Sequence, residues 1–544
     1  MINKLAYFLM LCPLLFSCVK QEVDLVVRNA VIYTVDDQFT IAEAMAIQGD
    51  TIVQVGAEHE ILNKYSGKTT IDAQKRAIYP GFIDAHCHFY GYGLSLQKVN
   101  LVGTKSFEEV IERLIAFHKK YPNEWITGRG WDQNDWAKKD FPTKKEIDSL
   151  FPHTPVFIKR IDGHAALANQ AALNKANITN ATTVEGGIVE TKNEALTGIL
   201  IDNAVDLLGK VIPKPNQQKI DTALIAAQGD CFKEGLTTVD DAGLDKKVID
   251  RINALHKTGA LSIKVYAMAS PTDENLNYFL ENGPLITDRL SVRAFKLYID
   301  GAFGSRGALL LEPYHDAEHH HGLLLTNHNE FKSLAERIYQ ADFQLCSHAI
   351  GDSANRIVLN VYGELLKEVN DKRWRIEHAQ LVHPNDLPRF RQYTIIPSVQ
   401  PTHATSDMYW AKERVGNERI EHAYAYKKLM EQNGLLPLGT DFPVEQISPL
   451  HTFYAAVARK DHEGYPEKGF NPENKLSRKE ALKGMTIWAA ISNFEEQQKG
   501  SLEAGKAADF VLLNQDIMQV PETQLLNSKV LYTVVNGKVV YKSN

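Results

Sequence analysis

Between Gly81 and Leu438 short apolar runs alternate with longer amphipathic stretches. The runs are Gly81-Phe82-Ile83-Asp84, Leu236-Thr237-Thr238-Val239, Ile263-Lys264-Val265-Tyr266, Ala294-Phe295-Lys296-Leu297, Phe343-Gln344-Leu345-Cys346, Trp374-Arg375-Ile376, Thr394-Ile395-Ile396-Pro397 and Leu435-Leu436-Pro437-Leu438. Short buried strands separated by helix-period segments are the texture of repeated βα units. Eight of them predict an α/β fold built on a (β/α)8 TIM barrel. Two helix starts carry capping-box pairs, Ser106 with Glu109 and Ser477 with Glu480. The stretch from Tyr90 to about Gly235 is too long for one connection, which predicts a large insertion, expected over the barrel mouth. The chain ends read differently. Leu25-Val26-Val27 with Ala30-Val31-Ile32-Tyr33, and Met45-Ala46-Ile47 with Thr51-Ile52-Val53-Gln54-Val55 across Gln48-Gly49-Asp50, read as hairpin strands. Val530–Val535, Asn536-Gly537 and Lys538–Tyr541 read as a tight hairpin.

Composition narrows the function classes. The 44% apolar and 23% charged residues are those of a folded chain with a substantial core. A net charge of −7, without blocks of one sign, excludes the basic footprint of a nucleic-acid binder and points to a small-molecule partner. At the N-terminus, Lys4, the apolar run Leu5–Phe16 and Leu15-Phe16-Ser17-Cys18 read as a secretory signal over residues 1–18. The last four residues resemble a bacterial lipobox, which implies cleavage before Cys18 and a lipid on its sulfur; the alternative is a plain cleaved signal. This places the chain in a bacterial cell envelope, anchored to a membrane by lipid and facing the periplasm or exterior. Of the five cysteines, Cys12 falls in the signal, and Cys87, Cys231 and Cys346 lie in apolar segments, where they are expected as buried thiols.

Chemistry concentrates at the strand ends. His86 and His88, two apart on a strand, present both imidazoles to one side, where they can share a metal ion. Lys296, His348, His378 and Asp441 each close a later strand-like run, the position from which barrel enzymes assemble their sites. By contrast, His319-His320-His321 is expected in a solvated loop.

These residues, with the lead-in Pro80-Gly81-Phe82-Ile83-Asp84-Ala85-His86 and the tail Gly500-Ser501-Leu502-Glu503-Ala504-Gly505-Lys506-Ala507-Ala508-Asp509-Phe510, resemble the amidohydrolase superfamily. Within it the chain resembles the branch of N-substituted formamide deformylases, through Gly128-Arg129-Gly130-Trp131-Asp132, Asp162-Gly163-His164, Asp300-Gly301-Ala302-Phe303-Gly304-Ser305-Arg306, Glu377-His378-Ala379-Gln380 and Gly439-Thr440-Asp441-Phe442-Pro443. The resemblance implies a small composite β-sandwich from 22–79 and 495–544, and a barrel domain over 80–494 with its insertion at about 90–235. It also implies a metal-dependent hydrolase of amide, N-formyl or N-acyl C–N bonds. The metal set would be His86, His88, Lys296, His348, His378 and Asp441, holding one or two divalent ions, zinc foremost, with Lys296 converted by CO2 to a carbamate. Such an ion lowers the pKa of bound water to about 7. Asp441 is the expected proton acceptor and donor, and His164 the expected oxyanion donor. Arg129, Trp131, Gln400 and His403 are candidates to line the substrate pocket. The rival readings are a metal-dependent isomerase, hydratase or decarboxylase on the same fold, or a binding lipoprotein without catalysis.

Overall fold

The computed structural model describes residues 20–122, 125–160, 165–184 and 187–543. Seven of the eight expected runs form parallel strands in one sheet: Phe82–Cys87, Leu236–Leu244, Lys264–Ala269, Leu290–Tyr298, Gln344–Ala349, Arg375–His378 and Ile396–Ser398. The eighth run differs. It makes only a parallel bridge between Leu438 and Val399. Residues 437–441 nevertheless close the ring by backbone bonds, with Gly439 N donating to Val399 O (3.0 Å), Ala85 N to Leu438 O (3.1 Å) and Asp441 N to His86 O (2.8 Å). A Cβ at Gly439 would lie 2.5 Å from His86 N, so the approach requires glycine. Asp84 braces this closure, accepting from Thr440 N (3.0 Å) and Thr440 Oγ1 (2.7 Å).

The terminal segments build two sheets. One is entirely N-terminal, ordered Thr51–Gly56, Ala44–Gln48, Gln21–Arg28, Tyr65–Asp72. The other joins both ends of the chain, ordered Lys538–Lys542, Val530–Val535, Phe510–Leu513, Ala77–Pro80, Val31–Tyr33, Ile41–Ala42. Ile47, Ile52, Ile78, Phe510 and Val534 share one buried cluster between them. The strand around Leu25 and the strand Val31–Tyr33 are therefore not a hairpin, as the sequence suggested. Asn29, at φ +52°, turns the chain from one sheet into the other. The two later hairpins form as expected, and Asn536 (φ +50°) and Gly537 (φ +71°) both take the positive φ of a tight primed turn. Lys264 of the barrel pairs with Asp509 in a buried ion pair, and Asp509 also accepts from Asn536 N (2.8 Å). The tail around Asp509 thus fastens the strand Phe510–Leu513 to the barrel.

Residues 90–227 form a unit of their own. Its six-stranded sheet runs Gly187–Lys192, Ala195–Asp202, Ala165–Ala168, Val156–Arg160, Ile126–Trp131, Val99–Asn100. Trp131, Trp136, Ile147 and Ile158 share its core. Among the described residues no helix is long and apolar enough to cross a membrane. Cys87, Cys231 and Cys346 are buried free thiols.

Candidate active site

The strand ends bring their polar residues together as the strand register requires. His86 is fully buried, and its ring centroid lies 4.7 Å from that of His378, which lies 4.4 Å from that of His348. Lys296, also fully buried, places Nζ 3.1 Å from His86 Nε2. Asp441 faces three imidazoles. Its Oδ1 is 3.2 Å from His88 Nε2 and 3.8 Å from His86 Nε2, and its Oδ2 is 3.6 Å from His403 Nε2. His378 and Asp441 hold φ of +74° and +63°, conformations that side chains rarely adopt and that collect at sites where the fold over-determines them.

A second layer fixes the ring orientations. His86 Nδ1 donates to Glu377 Oε2 (2.5 Å), so Nε2 carries the free lone pair. His378 Nδ1 donates to Gln400 Oε1 (2.8 Å). Glu377 is held in turn by Arg375 Nε (2.6 Å), and Arg375 also reaches Asp240 Oδ2 (3.0 Å) and Ser398 Oγ (2.9 Å) with no exposure to solvent. Asp300 accepts from Ile350 N (3.0 Å), Gly351 N (2.8 Å) and Leu309 N (2.8 Å), which sets the turn after His348.

Electrostatics follow from this burial. Desolvation holds His86 down to about 4 and His348 to about 3, so both are neutral at physiological pH. Burial pushes the Lys296 ammonium down to about 8 against the opposing pull of Glu377 and Asp441. For Asp441 burial works upward, but the His88 hydrogen bond and the neighbouring imidazoles prevail and hold it below the ordinary carboxylate range.

Neutral imidazoles and an ionised carboxylate are the donor set of a divalent cation. Two clusters fit one, His86 with His88 and Asp441, and His378 with His403 and Asp441. Around a tetrahedral ion with bonds of about 2.0–2.1 Å, ligand atoms lie roughly 3.3 Å apart, which is the scale of the separations measured to Asp441. His348 Nε2 and His403 Nε2 are buried without any hydrogen-bond partner. Such atoms are costly to leave unsatisfied unless a ligand takes them up. The site is a divalent metal site. It opens into a cavity of about 380 Å³ walled by Tyr298, Phe303, Ile350, Trp410 and Val444, sized for a small-molecule substrate.

The sequence candidates are distributed as follows. His86, His88, Lys296, His348, His378 and Asp441 converge. His403, expected in the pocket, lies on the wall and also completes the second cluster. Gln400 is almost fully buried and reaches the site through His378. In the insertion, Arg129 is exposed on the strand Ile126–Trp131, whereas Trp131 is buried in that unit's core and donates from Nε1 to Ile158 O (3.1 Å). His164 lies outside the described residues. His320 and His321 are tied to the carbonyls of Arg306 (2.8 Å) and Leu310 (3.3 Å). Sequence reasoning missed Glu377, Arg375 and Asp240. Only the burial of three charged residues in strand-like runs hinted at them.

The chain is similar to known proteins over most of its length. The chain is 32% identical to the Arabidopsis thaliana protein LONG AFTER FAR-RED 3, over 95% of this chain and 91% of that protein. It is 26% identical to the N-substituted formamide deformylase of Arthrobacter pascens, over 95% and 98% of the two chains. The crystal structure of an uncharacterized metal-dependent hydrolase from Pyrococcus horikoshii OT3 superposes with a TM-score of 0.79 at 30% identity, covering 92% of this chain and 99% of that one. The amidohydrolase family profile Amidohydro_3 matches residues 69–541. A metal site at the strand ends of a closed parallel barrel, in a chain matched over most of its length, makes this protein a metal-dependent enzyme of the amidohydrolase family, equipped for hydrolysis of a C–N bond.

Proposed function

We propose that the enzyme cleaves the C–N bond of a small amide, N-formyl or N-acyl compound, with zinc as the ion in one or two positions. The observation that carries this reading is Asp441, a single carboxylate shared by both donor clusters on the wall of the cavity. The family likeness to a formamide deformylase supports the substrate class. When bound, the ion polarises the carbonyl and acidifies water. Asp441 takes the proton of the attacking water and passes it to the leaving nitrogen. Lys296 serves as an anionic ligand: with its ammonium held near 8, roughly a tenth is neutral at pH 7. That amine would add to CO2 with release of one proton, and the resulting carbamate would supply the anionic oxygen donor that an ammonium cannot. His164 is assigned the hydrogen bond to the developing oxyanion, and Arg129 a place in substrate recognition, both on sequence grounds.

Metal-replete protein incubated with a panel of N-formyl and N-acyl amines is expected to release amine and carboxylate in equal amounts; an isomer or CO2 as product would overturn the reading. Lys296→Ala is expected to lower metal stoichiometry and activity together, with partial recovery in added propionate. Unchanged metal content would refute the carbamate. The lipid anchor at Cys18 lies, with the rest of residues 1–19, outside the described structure. It is tested by mass spectrometry of the mature N-terminus, where an unmodified start beyond Cys18 refutes it.

A further inference from the structure

Behind the metal donors the barrel interior holds a column of charged groups with no contact to solvent. Asp240, Arg375 and Glu377 are all 0% exposed, and so is Asn493, which follows the helix Ile487–Ser492. Arg375 is the hub. Its Nε donates to Glu377 Oε1 (2.6 Å), and its Nη2 to Glu377 Oε2 (3.1 Å), Ser398 Oγ (2.9 Å) and Ala85 O. At the other end of the guanidinium, Nη1 donates to Asp240 Oδ2 (3.0 Å) and Asn493 Oδ1 (3.3 Å). Asp240 Oδ1 accepts from Asn493 Nδ2 (2.7 Å). Asp240 lines no part of the cavity and belongs to neither donor cluster.

Glu377 Oε2 serves two donors, Arg375 Nη2 and His86 Nδ1 (2.5 Å). What the carboxylate can give to His86 therefore depends on how far Arg375 is neutralised from its other end. Without water, that neutralisation has to come from a fixed anion. Among the described residues, Asp240 and Glu377 are the two carboxylates paired with Arg375. One cation against two anions leaves a surplus of negative charge behind His86. We infer that Asp240 is a positioning residue for the metal site, acting through Arg375 and Glu377: it balances the guanidinium and so frees Glu377 to hold the His86 Nδ1 proton and strengthen Nε2 as a metal donor. Its influence crosses from the strand Leu236–Leu244 through Arg375–His378 to Phe82–Cys87.

The test reads metal binding and one proton, both apart from turnover. Zinc constants are measured by chelator competition in full-length protein at about pH 8.5, above the value of about 7 to which burial raises the Asp240 carboxyl. Losing a carboxylate that contacts a metal-binding histidine costs about 10–100-fold in affinity, so Asp240→Asn, one link further away, is expected to cost about three- to tenfold. Asp240→Asn/Arg375→Met removes cation and anion together and leaves Glu377 to His86 alone; it is expected to return to within about threefold of wild type. This double variant keeps the test decisive if Asp240→Asn, with its unbalanced buried cation, fails to fold. In metal-free protein the downfield proton resonance of His86 Nδ1–H, assigned by its loss in His86→Gln, is expected to move upfield in Asp240→Asn and back in the double variant. An unchanged zinc constant or an unmoved His86 proton in Asp240→Asn would overturn the inference. So would a double variant that binds zinc more weakly than the single one or fails to fold, the order expected of a residue that merely supports the barrel.

Discussion

Glu377 is the residue whose replacement tests the physical account of this site most directly. It touches no cavity and would ligate no ion, yet its Oε2 accepts the proton of His86 Nδ1 at 2.5 Å while Arg375 holds it at 2.6 Å. In Glu377→Gln the shape is kept and one negative charge is lost. The amide presents either an oxygen to His86 or an NH2 that repels its Nδ1–H, and Arg375 keeps Asp240 as its remaining charged partner. Loss of such a carboxylate behind a metal-binding histidine lowers metal affinity by about 10–100-fold, or roughly 1.4–2.7 kcal/mol. The assay is chelator competition for the metal, with the folding of the metal-free protein followed by circular dichroism. Two results are expected together: a weaker metal constant in that range and an intact fold. Affinity within twofold of wild type would refute the idea that Glu377 sets the basicity and tautomer of His86. Glu377→Asp, which retracts the carboxylate by one methylene, is expected to fall between the two.

Three other outcomes follow from the same structure. Asp441→Asn is expected to keep most of the metal through the remaining imidazoles but to lose about 10²–10⁴ in turnover; near-normal kcat would remove its proton-transfer role. Gly439→Ala forces a Cβ to within 2.5 Å of His86 N, so reduced metal content and a lower unfolding temperature are expected, and a variant with wild-type values of both would show that the closing segment yields freely. His256 donates from Nε2 to Ile263 O (2.9 Å) and is held down to about 4 by burial, with Nδ1 unpartnered. Its unfolded pKa is about 6.5, so the unfolded chain takes up the proton first. Its contribution is therefore complete above pH 6.5 and is lost as the pH falls toward 4. Urea midpoints measured between pH 7.5 and 5 are expected to decline more steeply for wild type than for His256→Gln; parallel declines would contradict the assignment.

The parts of this protein that could be read from its sequence are those whose signals are local. A strand end carries its chemistry at a fixed place in the βα repeat, so His86, His88, Lys296, His348, His378 and Asp441 could be picked out before their convergence was seen. Ser477 and Glu480 likewise announced a capping box, which forms in full. At Ser106 the Ser side chain accepts from Glu109 N, but Glu109 turns to Lys105 N instead. What escaped depends on pairs remote in sequence. Glu377 matters because His86 sits across the barrel, and no nearby spacing encodes that. His403 reads as a candidate for the pocket wall, but its place in the second donor cluster emerges only when the closing segment brings Asp441 to it. The false hairpin at Leu25 and Val31 failed for the same reason, since two alternating runs cannot reveal that each has a better partner elsewhere.

The shared terminal sheet also sets an order of events in the life of the chain. The strand Ala77–Pro80 pairs with Phe510–Leu513, and that strand with Val530–Val535. At roughly 5–20 residues per second, the early strand leaves the ribosome on the order of half a minute before its partners exist. The sheet is thus sealed last, and the finished fold certifies that synthesis has reached the far end.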